Sequence, residues 1–238
     1  MDNRNQYYNK STRAYIFDYG GTLDTGGRHW VAVLWQAWQS AGISVSKELF
    51  REAYVHAERA LTARQLIAPD DTFRRTLDVK LQIEMDYAGC GTYRQQVLDN
   101  VYEQARQHTA HSRRVLEKMA ERWPLALVSN FYGNLNTVLR EFELDGLFQH
   151  IVESATAGMR KPDPRMFVRA ADLMGMATEE VTVVGDSIKN DILPAMAAGC
   201  STVWLRGEQW DTAHSSETRP HRIITDLEEL LNDKKHER

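Results

Sequence analysis

The sequence predicts an α/β fold: a doubly wound parallel sheet with an all-helical segment inserted after its first strand. Three observations lead there. Short apolar runs each stop at a small or polar residue, helical stretches separate the later runs, and 26–109 shows helical spacing with no convincing strand.

In chain order the predicted strands are 14–17 before Asp18, 125–128 before Ser129, 151–152, 181–184 before Gly185, and 202–205. Most are continuously apolar rather than alternating, as expected of strands covered on both faces. Helices are predicted at 112–122, 133–142, 164–174 and 191–198. Within the insertion, Trp30, Leu34, Ala37, Trp38 and Ala41 recur at helical spacing, as do Phe50, Tyr54, Ala57 and Leu61. Phe73, Leu77 and Leu81 continue the pattern, and Thr92 is placed to cap a fourth helix running to about His108. The Trp/Tyr stripe reads as the insertion's own core. This divides the chain into an α/β core, 1–25 with 110–238, and a helical insertion, 26–109, entered through Thr25-Gly26-Gly27. The tail, 232–238, reads as a frayed end.

At roughly 150 residues per domain, 238 residues allow one large domain or one domain with a modest insertion. Lys+Arg 29 against Asp+Glu 33 gives a net charge of -4, which excludes a strongly basic nucleic-acid binder but not a local anion site. No apolar run approaches the ~20 residues that span a bilayer, and the N-terminus has no apolar signal core. Cys90 and Cys200 are far apart and without a metal-ligand pattern, which reads as two reduced thiols in a cytoplasmic protein. Oligomeric state is left open.

Four constellations carry chemistry. Tyr15-Ile16-Phe17-Asp18-Tyr19-Gly20-Gly21-Thr22-Leu23-Asp24 delivers a carboxylate to a strand end, followed by a glycine turn. No Gly-Lys-Ser/Thr follows, so this is not a nucleotide P-loop. Leu127-Val128-Ser129-Asn130 ends a strand in a hydroxyl and an amide. Arg160-Lys161-Pro162-Asp163-Pro164 sets a lysine among prolines before a helix. Gly185-Asp186-Ser187 with Asp191 places two carboxylates five residues apart, a pattern that suits a hard divalent cation. Each alone has a bland reading as a turn or a surface group. Their order at successive strand ends does not.

Together they closely resemble the haloacid dehalogenase superfamily, and its Mg-dependent phosphatases most of all, with the insertion similar to a mobile cap and the core to a Rossmann-like sheet. The resemblance implies that Asp18 attacks phosphorus to form an aspartyl-phosphate. It implies a Mg²⁺ held by Asp18, the Gly20 carbonyl and Asp186, with Asp191 binding directly or through water. Ser129 would bind the transferring phosphoryl group and Lys161 would orient Asp18. Thr22 would steady the loop after Asp18, on the substrate side with Asn130. The implied substrate is a small phosphorylated metabolite.

One position departs from the pattern. The superfamily's phosphatases usually place a second Asp two residues after the nucleophile, as acid and base, and here that residue is Gly20. Its loss is worth about 10²–10⁴-fold in rate, so good leaving groups are expected to be favoured. Asp24 and His29 are the candidate substitutes for that acid, although Asp24 reads first as an ordinary carboxylate carried past the reacting centre and His29 as a solvated helix start. Two alternatives follow from Gly20: a phospho-ligand-binding pseudoenzyme, or a relative that cleaves carbon–halogen or carbon–phosphorus bonds. The latter bond type calls for a cap lysine, and the insertion offers only Lys47 and Lys80.

Overall fold

The computed structural model describes residues 12–208, 210 and 220–233. The N-terminal stretch without an apolar core, and the last five residues of the tail, lie outside the described residues. Six parallel strands form one sheet: β1 (Ala14–Phe17), β2 (Leu125–Ser129), β3 (His150–Glu153), β4 (Val181–Gly185), β5 (Ser201–Leu205) and β6 (Arg222–Ile224), in the order β3-β2-β1-β4-β5-β6. The five predicted strands are present with ends shifted by at most one residue. β6 was not predicted. It is a three-residue edge strand, only partly buried, with too little pattern to read.

Strand order reverses at β1, so the crevice between the carboxyl ends of β1, β2 and β4 is where a doubly wound sheet binds its ligand. Phe17 pairs with Leu127 on one side and Val184 on the other, which brings Asp18, Ser129 and Asp186 to one edge. Alternate strand residues feed opposite faces. Tyr15, Phe17, Leu125 and Leu127 join the larger core toward the insertion, and Ile16, Ala126, Val128 and Val183 pack with Met166 and Phe167.

Between β1 and β2 run α1 (Trp30–Ser40), α2 (Lys47–Arg64), α3 (Phe73–Ala88) and α4 (Arg94–Ala120). Side chains satisfy the orphan amides at three of their starts: His29 Nδ1 accepts from Val31 N–H at 3.2 Å, Ser46 Oγ from Leu49 at 3.1 Å and Thr72 Oγ1 from Arg75 at 3.1 Å. The predicted break near 109–112 does not exist; α4 is one helix of 27 residues. Its polar middle is satisfied by the helix itself and by the loop after β1. Thr109 Oγ1 donates to the Ala105 carbonyl at 2.8 Å, and Ser112 Oγ donates to the Leu23 carbonyl at 2.8 Å. Thr92 is no cap either, since it lies in the 3-10 turn Gly91–Tyr93 that leads into α4.

After β2 come α5 (Leu135–Glu141), the short α6 (Ser154–Ala157), α7 (Arg165–Leu173) and α8 (Leu193–Ala197), the last preceded by a π-helical turn Ile188–Ile192. Trp38 and Phe50 are fully buried in the insertion, whereas Trp30 and Tyr54 from the same stripe turn toward a cavity. Cys90 and Cys200 are buried and unpaired. Among the described residues, no helix is long and apolar enough to cross a membrane.

Candidate active site

β1 ends at Asp18, whose N–H donates to the Val184 carbonyl at 3.0 Å, so the strand end is pinned to β4. Asp18, Asp186 and Asp191 are all buried and offer oxygens that lie within 4.8 Å of one another. Lys161 Nζ donates to Asp18 Oδ1 and to Asp191 Oδ1, both at 2.6 Å. Thr22 Oγ1 lies 3.3 Å from Asp18 Oδ2 and 3.1 Å from Asp186 Oδ1, and it accepts the Asp186 N–H at 3.0 Å. Asp191 is fixed in turn by the Ser187 N–H on Oδ2 at 3.0 Å. The backbone leaves no room to spare: a Cβ at Gly185 would land on the Asp191 carboxylate, and one at Gly21 on that of Asp186.

Three carboxylates face one ammonium, all shielded from water. Burial pushes Asp18 up to about 6 against the pull of Lys161. Burial, with the charges of Asp191 and Asp18, drives Asp186 well above the carboxylate range. Burial alone would lower Lys161, but its two carboxylate partners overcome that and hold it charged. An all-oxygen cluster with this excess of negative charge fits a hard divalent cation.

The predicted site residues fall into two layers. Asp18, Gly20, Ser129, Asn130, Lys161, Asp186 and Asp191 line one cavity of about 930 Å³. Thr22 sits fully buried behind the carboxylates it bridges and does not line the cavity. The Asn130 amide is engaged on both sides by the backbone of Lys161, accepting its N–H at 2.9 Å and donating to its carbonyl at 3.0 Å. It therefore sets the lysine in place.

Two features stand apart from the sequence reading: Asp24, weighed there as a substitute acid but read first as carried past the site, and the roof of the cavity. Asp24 is not carried past the site: it is 1% exposed and lines the same cavity. Gly21, at φ 97°, folds the chain back so that Asp24 Oδ1 accepts the Gly21 N–H at 2.7 Å, while Oδ2 accepts the Trp30 indole N–H at 3.0 Å. The second feature is the roof. Lys80 from α3 pairs with Glu58 of α2, and the Tyr132 hydroxyl donates to both Glu58 oxygens at 3.1 Å. Tyr54, Glu58, Lys80 and Tyr132 all line the cavity that Asp18 also lines. The positions were in view, but no motif links residues that far apart.

A family model described as haloacid dehalogenase-like hydrolase matches residues 12–199. The chain is 30% identical over 119 residues to 5-amino-6-(5-phospho-D-ribitylamino)uracil phosphatase YigB of Escherichia coli (strain K12), covering 49% of this chain and 48% of that one. It is 33% identical over 90 residues to glyceraldehyde 3-phosphate phosphatase of Pyrococcus furiosus, covering 37% and 38%. The chain thus spans about half the length, or less, of these curated relatives. A solved dehalogenase with an intermediate complex superposes with TM-score 0.59 at 20% identity, over 94% of this chain and 99% of that one. At that identity the likeness is one of fold.

Proposed function

The chain belongs to the haloacid dehalogenase-like hydrolase family, and from that premise we propose that it is a Mg²⁺-dependent phosphatase of a small phosphorylated metabolite. The observation that carries this reading is the cluster of Asp18, Asp186 and Asp191 with Lys161 on Asp18, at the floor of a cavity of about 930 Å³. That size suits a small ligand, and the names of the curated relatives are those of small-metabolite phosphatases.

In this reading Asp18 is the nucleophile. Its carboxylate attacks phosphorus, displaces the leaving alcohol and becomes an aspartyl-phosphate, which water then hydrolyses. Lys161 holds one Asp18 oxygen at 2.6 Å and so fixes the direction of attack. Ser129, at the end of β2, donates to the transferring phosphoryl oxygens. Asp18, Asp186 and the Gly20 carbonyl would hold Mg²⁺, with Asp191 direct or through water. The ion supplies charge neutralisation between two anions that must meet. We take 26–109 as the cap that closes the cavity and excludes water.

Gly20 favours a second reading, carbon–halogen cleavage or binding without turnover, because neither needs a proton donor there. Carbon–phosphorus cleavage through a Schiff base is disfavoured. Lys80 lines the cavity, but the Glu58 carboxylate overrides burial and keeps it protonated, and a Schiff base needs the neutral amine. Lys47 lies over the Trp210 ring, away from the cavity. The deciding experiment is release of phosphate from a panel of phosphorylated metabolites, and of chloride from 2-chloroacids, with Mg²⁺ or with EDTA. Mg²⁺-dependent phosphate release supports the phosphatase. Chloride release, or no turnover of either, contradicts it.

A further inference from the structure

We propose that Asp24 is the general acid and base of this reaction, supplying from four residues downstream what Gly20 has no side chain to supply; the assignment rests on the phosphatase reading above. The geometry is specific. A Cβ on Gly20 would meet only the Trp30 indole, 3.8 Å from its nitrogen. That same indole N–H donates to Asp24 Oδ2 at 3.0 Å. The Asp24 carboxyl and the space left open at Gly20 therefore border one atom, on the wall of the cavity that Asp18 also lines.

The environment of Asp24 is costly for a carboxylate without a task. It is 1% exposed, and among the described residues no cation offsets its charge. The titratable groups that face it are Asp18, whose negative charge disfavours ionisation, and the Tyr19 hydroxyl. Burial pushes the carboxyl up to about 8, so it carries a proton at neutral pH. His29, which also lines the cavity, uses Nδ1 to cap α1.

The steps balance. As the Asp18 oxygen bonds to phosphorus and the ester P–O bond breaks, Asp24 gives its proton to the departing oxygen, which leaves as a neutral alcohol. Water then attacks the phosphorus of the aspartyl-phosphate. Asp24, now a carboxylate, takes one of its protons, the Asp18 O–P bond breaks, and hydrogen phosphate leaves with both carboxyl groups restored to their starting forms.

The test is kcat/KM with Mg²⁺ across a series of aryl and alkyl phosphates, for wild type, Asp24→Asn, His29→Asn, and Asp24→Asn with Gly20→Asp. Wild type should depend only weakly on leaving-group pKa. Asp24→Asn should keep its kcat/KM on 2,4-dinitrophenyl phosphate, whose phenolate needs no proton to leave. Its kcat there should fall to a burst followed by slow turnover, because the base of the second step is gone. On alkyl phosphates it should lose about 10²–10⁴-fold in kcat/KM. The burst of dinitrophenolate, one per enzyme, shows in the same assay that the variant is folded. Adding Gly20→Asp should make the dependence shallow again, since the site has room for it. On alkyl phosphates the wild-type rate should also fall above a pH of about 8, a limb absent from Asp24→Asn. Equal loss on every substrate in Asp24→Asn, or a steepened dependence in His29→Asn alone, overturns the assignment while the phosphatase reading stands. No turnover of any phosphate ester by wild type overturns both.

Discussion

The floor and the roof of the cavity each bury a lysine between two carboxylates, and they hold them differently. At the floor, Lys161 donates to Asp18 and Asp191 at 2.6 Å each, and backbone amides or Thr22 bind the carboxylate oxygens that remain. In the roof, Lys80 pairs with Glu58 but lies 3.5 Å from Glu84, whose two buried oxygens have no hydrogen-bond partner. The floor is built from strand ends and the turns that follow them, with Lys161 brought in from the loop before α7 and held at its backbone by the Asn130 amide just after β2. The roof joins two helices and a loop, and its contacts form only when those elements dock. Charge that is positioned by the backbone can serve chemistry; charge positioned by docking can select what enters.

The sharpest contrast comes from the nucleophile. Asp18→Asn should cut phosphate release by about 10⁴-fold or more in steady-state assays, whereas Glu58→Gln in the roof should change KM between substrates and leave kcat on small aryl phosphates standing. Comparable kcat losses from both would erase the distinction.

Next in size is the loss of each lysine. Lys161→Met leaves two buried carboxylates without a counter-charge and should destabilise the fold by about 3–5 kcal/mol in urea unfolding. Lys80→Met should cost less, because Glu58 is 34% exposed and water screens it. The reverse order would mean that the roof, not the floor, depends on its ion pairs.

Glu84 makes the difference visible in pH. Burial raises its carboxyl from 4.5 to about 7. Below 4.5 both folded and unfolded chains hold the proton and stability is untouched. As pH rises toward 7 the unfolded chain releases it first, so the folded state loses about 3 kcal/mol by neutral pH. Glu84→Gln removes this loss. Its stability relative to wild type should climb between pH 4.5 and 7 and then level off, as read by urea midpoints at pH 4, 6 and 8. A difference that does not vary with pH would show that Glu84 ionises freely.

The smallest effect is that of the ion itself. Mg²⁺ at a hundredfold excess over its Kd should add ~2.7 kcal/mol of stability, seen as a raised Tm that EDTA reverses. Asp186→Asn should remove that response, and Glu84→Gln should keep it.

The same contrast explains what could be read from sequence. The strands were legible because continuous apolar runs ending in Asp18, Ser129 and Gly185 have one sensible home, the centre of a parallel sheet. The floor was legible because Asp18, Gly20, Ser129, Asn130, Asp186 and Asp191 each stand within a few positions of such a run, and Lys161 because two prolines and a helix start mark its turn. Asp24 was misread for a local reason: counting residues forward assumes an extended loop, and Gly21 at φ 97° turns it back. The continuity of α4 was hidden because Gln107, His108 and Thr109 look like a break, although Thr109 bonds to its own helix. Lys80 was left without a role because nothing near it in sequence names Glu58 or Tyr132. Those contacts exist only after α2, α3 and the loop behind β2 have met.

The central claim is that the site serves phosphoryl transfer, with water attacking phosphorus and not the carboxyl carbon of an Asp18 ester, and one measurement addresses it directly. A single turnover with excess enzyme in ¹⁸O-water, followed by mass spectrometry of the phosphate and of the peptide containing Asp18, reports which atom water attacks. The account predicts ¹⁸O in the released phosphate and none in Asp18, because water attacks phosphorus. Label in the Asp18 carboxyl would mean attack at the carbonyl carbon of an alkyl ester, the outcome of carbon–halogen cleavage, and would contradict it.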